Sequence, residues 1–168
     1  MVARLIGAVL AVALAFALAP SAAADCTVIP PGPSTIDGVF AEIPGFTVTP
    51  DCPAIGSPFA GTDMAAASAA EISRDGNPVL TVFAAQLAAG SGQGFIRDTF
   101  LAAVDGTASD TQTVGGYPVI YFNIPRLTDG YAYADGPTVV IGYDTGGPRA
   151  GAAVREVLPT LLGRVKPG

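Results

Sequence analysis

This chain of 168 residues carries 14 acidic and 8 basic side chains and no histidine, which gives a formal net charge of −6. That acidic balance argues against nucleic acid or an anionic membrane as a partner, because both repel negative charge. Without histidine, the chain lacks the side chain that serves most often as a general base and as a metal ligand.

Residues 1–24 have the pattern of a secretory signal peptide. Arg4 precedes an uncharged apolar stretch from Leu5 to Ala19, and a proline and small residues follow it. The stretch is shorter than the about 20 residues of a membrane span, which favours cleavage over anchoring. We expect cleavage between Ala24 and Asp25, a secreted or cell-envelope location, and no transmembrane segment in the mature chain.

The chain has two cysteines, Cys26 and Cys52. Outside the cytoplasm an even cysteine count predicts a disulfide, so we expect a Cys26–Cys52 bond. It would stabilise segment 25–60, in which frequent prolines exclude a long helix. Lipid attachment at Cys26 is the less favoured alternative, because a lipidated cysteine is normally the first mature residue and Asp25 precedes it here.

Residues 61–168 have the regular pattern of one α+β domain. Glycine and Asp-Gly pairs between strand-like runs predict hairpins, so neighbouring strands should be antiparallel. Two helices are predicted, at 95–104 and 149–165, the second with a kink or restart at Leu158–Pro159. We expect an antiparallel sheet with both helices packed on one face, in two layers. The strands are predicted at residues 67–73, 79–87, 111–114, 117–124, 131–134 and 138–143.

All five tyrosines fall between residues 117 and 143. Strand alternation puts Tyr117 and Tyr121 opposite Phe122, so we expect Phe122 to face the helices and the two tyrosines to point away. Tyr131 and Tyr133 share a face of the next strand. If these faces coincide, the four side chains form a candidate binding face. Ordinary sheet composition is the alternative, because tyrosine favours strands.

Asp144-Thr145-Gly146 follows an apolar strand and resembles the active-site triplet of aspartic proteases, in which two carboxylates share a proton. A chain of this size would need a homodimer to bring two copies of Asp144 together. A strand end followed by a turn is the favoured interpretation, because Asp, Thr and Gly all favour turns. We therefore predict no catalytic residue, no metal site and no cofactor.

Three stretches, Glu71–Val79, Val114–Val119 and Gly136–Val140, resemble small exported envelope proteins and lipoproteins of actinobacteria. Some of those proteins are similar to PsbP/Mog1-like domains, which pack an antiparallel sheet on helices. The resemblance implies an envelope location and brings no functional residues with it.

These observations predict a non-enzymatic binding or accessory domain whose partner is an unknown protein, a glycan or a small apolar ligand. One alternative is a carrier that holds an apolar ligand between sheet and helices. Another is an Asp144-dependent aspartic hydrolase. A closed apolar cavity would favour the carrier, and two copies of Asp144 facing each other across a dimer axis would favour the hydrolase. Filled packing beside an exposed sheet face would favour the binding domain.

Overall fold

The computed structural model describes residues 35–36, 38–50, 63–125, 128–145 and 150–165, with the side chains of residues 110, 150 and 151 left aside. The predicted signal peptide and both cysteines, Cys26 and Cys52, lie outside these residues. Cleavage after Ala24 and the disulfide therefore stay predictions.

Within the described residues, seven strands form one antiparallel sheet in the spatial order β1-β2-β3-β7-β6-β5-β4. The predicted α+β class and the predicted hairpins are confirmed. The chain crosses the sheet once, between β3 and β4, and then returns strand by strand until β7 pairs with β3. The strands are β1 (Thr47–Pro50), β2 (Met64–Arg74), β3 (Asn77–Leu87), β4 (Thr107–Val114), β5 (Tyr117–Ile124), β6 (Thr128–Asp135) and β7 (Thr138–Asp144).

The hairpin between β2 and β3 turns at the Asp-Gly pair that the sequence marks. Asp75 and Gly76 both have positive φ, 52° and 76°. A two-residue turn of this kind twists in the same sense as the flanking strands, and Asp and Gly tolerate it better than other residues. The local sequence therefore fixes where this hairpin closes.

Two helices cover the sheet on opposite faces. Helix α1 runs over residues 92–103, with a π-helical middle at Phe95–Phe100, and helix α2 spans Ala150–Leu162. Val139 belongs to the core cluster of α1, whereas its neighbour Val140 belongs to that of α2. The prediction that both helices share one face is wrong.

The physical reason is visible in β3 and β7. Leu80 to Ala85 are buried without interruption, so the strand is apolar on both faces. A strand of this kind needs a cover on each side, whereas a sheet with one solvated face would alternate apolar and polar residues. The central strands are buried on both faces, so one face is covered by α1 and the other by α2.

Helix α2 continues through Pro159, so the helix does not restart there, and the predicted kink stays a prediction. The proline ring lies against the β4–β5 turn, where a Cβ on Gly115 would overlap with its Cγ. Gly115 also has a positive φ of 59°. The contact explains why this turn has glycine.

The face that carries α2 also receives residues 38–46, which precede β1. Arg164 holds this segment with three hydrogen bonds: its guanidinium donates to the carbonyls of Val39 (3.1 Å), Ala41 (2.9 Å) and Glu42 (2.7 Å). Val39 and Ile43 are buried against the α2 cluster. Within the described ranges, no helix is both long and apolar enough to span a bilayer.

Candidate functional site

The candidate tyrosines meet on one face of the sheet. The β5–β6 register pairs Tyr121 with Tyr131, and their ring centroids are 5.5 Å apart at 61°. The rings of Tyr117 and Tyr133 meet edge to face at 5.9 Å and 89°. Edge-to-face contact is a favourable geometry for aromatic rings. We call this surface of Tyr117, Tyr121, Tyr131 and Tyr133 the tyrosine face.

The tyrosine face lies on the α2 side of the sheet, so the prediction that Tyr117 and Tyr121 point away from the helices is wrong. The alternation itself holds, because Phe122 is buried on the α1 side. Tyr131 belongs to the α2 core cluster and is only 6% exposed, whereas Tyr121 is half-buried. This prediction assumed that both helices cover one face of the sheet. Because each face has its own helix, side chains on either face point toward a helix.

A pocket of about 330 Å³ opens between this face and α2. This volume lies at the lower end of the range for small-molecule sites, about 300–1,000 Å³. We call it the tyrosine pocket. It is lined by Gln112 of β4, Tyr121 of β5, Asp129 and Tyr131 of β6, Asp144 of β7, and Val154 and Arg155 of α2.

Two acidic residues lie side by side at the sheet end of the pocket. Gly130 pairs with Tyr143, and continuing that register brings Asp129 opposite Asp144. Asp144 is the last residue of β7, one residue beyond the predicted strand, and its carbonyl accepts a hydrogen bond of 2.6 Å from the Thr128 hydroxyl. The carboxylate of Asp129 brings a negative charge to this corner of the pocket, so the corner favours a positive group.

The Asp129 carboxylate is held by β5. The side-chain amide of Asn123 donates to it at 2.6 Å. Burial raises the pKa of Tyr121 above its usual value, and interaction with the Asp129 carboxylate raises it further. The Tyr121 hydroxyl therefore keeps its proton at neutral pH.

Raised tyrosine pKa values predict a loss of stability in alkaline solution. The pKa of Tyr133 is also raised, by burial and by the charges of Asp135 and Tyr117. Above about pH 10 the unfolded chain releases these protons first, so the folded chain binds more protons and the free energy of unfolding falls as pH rises. Below that pH both states keep the protons and the contribution is constant.

Urea denaturation across the alkaline range measures this effect. We expect Tyr121→Phe and Tyr133→Phe each to make the decline above about pH 10 shallower, because each removes one titrating group. If the free energy of unfolding of both variants falls as steeply above about pH 10 as that of the wild-type protein, the assignment is contradicted.

The opposite side of the pocket is positive. Arg155 of α2 donates from Nε to the Tyr131 hydroxyl over a long 3.4 Å, and this bond and the Tyr131 charge raise the Arg155 pKa. Among the described residues Arg155 forms no salt bridge, whereas Arg74 is paired with Glu156 at 2.6 Å. The pocket therefore presents a guanidinium on its helix side and carboxylates on its sheet side.

Several of these residues were missed by sequence reasoning. Asp129 lies two positions before Tyr131, so strand alternation was a signal that could have found it. Gln112 and Arg155 carry no such signal, because only the sheet order and the α2 position bring them to the tyrosines. In the part of the chain that the structure describes, no group of three or more His, Cys, Asp or Glu side chains could hold a metal ion.

No protein-family model matches this chain, and no curated protein or solved structure is significantly similar to it. The resemblance to PsbP/Mog1-like domains therefore stays a prediction.

Proposed function

We propose that this chain is a non-enzymatic binding domain, secreted or held at the cell envelope, and that the tyrosine pocket is its binding site. The supporting observation is convergence: four strands and one helix bring two tyrosines, two carboxylates, an amide and a guanidinium to one small concave surface. Binding sites are typically concave surfaces with a few convergent polar groups among apolar ones.

The state of the carboxylates supports binding over catalysis. Asp129 accepts a hydrogen bond of 2.6 Å from the side-chain amide of Asn123, so its carboxylate is held in place by β5. General bases and metal ligands are often histidines, which this sequence lacks. The aspartic hydrolase alternative depends on two copies of Asp144 facing each other across a dimer axis. We therefore expect Asp144→Ala to remove no hydrolytic activity, as assayed with peptide substrates.

The packing of the core favours the binding domain over a carrier of apolar ligands. On the α2 side Val157, Leu158 and Leu161 are fully buried, and on the α1 side Phe122 and Ile96 are fully buried. Interiors of this kind are filled by side chains at close-packed density. The space between sheet and helices is thus occupied by the protein's own residues at these positions.

A ligand screen tests the proposal. The intact mass of the exported protein is first measured by mass spectrometry, which also tests cleavage after Ala24 and the Cys26–Cys52 bond. Its melting temperature is then measured with sugars, amino acids, amines, organic acids and fatty acids. We expect at least one class of compound to raise the melting temperature, because a ligand at 100 times its Kd adds about 2.7 kcal/mol to the free energy of unfolding.

The pocket is identified by two variants. Tyr121→Ala should abolish the rise in melting temperature, whereas Tyr133→Ala, on the same face but outside the pocket, should retain it. The proposal fails if no compound class stabilises the wild-type protein, or if the rise survives in Tyr121→Ala.

A further inference from the structure

We infer that the tyrosine pocket binds a small zwitterion that carries an ammonium group and a carboxylate, as a free amino acid does. The inference rests on the proposed function and adds the chemical class of the ligand. It is carried by the charges at the two ends of the pocket and by the rings between them.

The contacts link the helix side of the pocket to its sheet side. Arg155 bonds to the hydroxyl of Tyr131, the Tyr131 ring meets the Tyr121 ring, and Asp129 lines the same pocket beside Tyr121. The ring pair therefore separates the guanidinium from the carboxylate, and no salt bridge joins the two. Asp144 of β7 also lines the pocket.

Charge complementarity selects the ligand class. A simple anion would be attracted by Arg155 but repelled by Asp129, and a simple cation would meet the reverse conflict. A zwitterion is attracted at both ends. Its carboxylate can bind the planar guanidinium through two parallel hydrogen bonds, and its ammonium can bind Asp129 beside an aromatic ring.

The size of the pocket limits the ligand further. A volume of about 330 Å³ admits a small molecule but no folded partner. Two sources share this chemistry: a free amino acid, and a dipeptide, whose two charged groups are farther apart. Comparing the two in the same titration tells which spacing the pocket accepts.

Calorimetric titration tests the inference. The probes are the standard L-amino acids, glycine dipeptides, and the amide and N-acetyl derivative of the best binder. Each derivative removes one ligand charge, so we expect each to bind at least about tenfold more weakly than the parent, because hydrogen bonds between charged groups are worth that much.

Two substitutions test separately how the pocket binds the carboxylate and the ammonium group of the ligand. Arg155→Gln should erase the preference for the acid over the amide and leave the preference for the free amine. Asp129→Asn should erase the preference for the free amine over the N-acetyl derivative and leave the preference for the acid. Arg97→Gln, on α1, and Asp135→Asn, at the other end of β6, are the matched controls and should change neither preference.

The outcomes separate the two proposals. If sugars or fatty acids give a rise in melting temperature that depends on Tyr121 and no zwitterion binds, the zwitterion inference is overturned and the binding domain stands. If the amide and the N-acetyl derivative bind as tightly as the parent, the inference is also overturned. If nothing binds, both proposals fail.

Discussion

Replacing Phe122 by alanine should lower the free energy of unfolding by about 3–5 kcal/mol, the range for a large buried aromatic side chain. Phe122 is fully buried, and its ring meets that of Phe100 edge to face at 5.3 Å. This contact joins β5 to α1. The substitution removes apolar burial and leaves a cavity that the close-packed sheet cannot collapse to fill.

Tyr121→Ala is the matched comparison, since it changes the next residue on the opposite face. Tyr121 is half-buried at the mouth of the tyrosine pocket, so its removal should cost clearly less than that of Phe122. Urea denaturation of both variants at neutral pH measures the difference. If Tyr121→Ala loses more free energy of unfolding than Phe122→Ala, the main apolar packing of β5 is on the pocket side.

Local sequence patterns account for much of this fold. The Asp-Gly pair at residues 75–76 closes one hairpin, and alternation within β5 puts Tyr121 and Phe122 on opposite sides. Both inferences use information from adjacent residues, where backbone geometry leaves few options. The meeting of Tyr121 with Tyr131 followed from the same alternation once the two strands were paired.

Long-range placement could not be predicted in the same way. The sequence marks α1 and α2 as helices, but the face that each covers depends on how the chain crosses the sheet between β3 and β4. The apolar run in β3 was the available signal, since burial on both faces requires two covers. Arg155 reaches Tyr131 only because of that placement, and so the pocket is a product of topology more than of any motif.

The second large effect is expected at Gly130, a buried glycine inside β6. A Cβ there would overlap with Cζ of Phe122 and lie 2.5 Å from the carbonyl oxygen of Gly142. The Phe122 ring is fully buried and the other neighbour is backbone, so neither can move freely. Gly130→Ala should therefore destabilise the protein by about 1–3 kcal/mol or more, the usual cost of overpacking a core.

Gly142 in β7 is the control for this argument, because it is also a buried strand glycine without a positive φ. A Cβ at Gly142 would meet Leu80 at 3.5 Å and Val82 at 3.7 Å, which is ordinary van der Waals contact. Gly142→Ala should be neutral or stabilise by about 0.4–1 kcal/mol, since alanine restricts the unfolded chain. Chemical denaturation of both variants decides the point. Equal losses would show that strand glycines are required here for backbone freedom, whereas a loss confined to Gly130→Ala would show that the Phe122 ring needs that space.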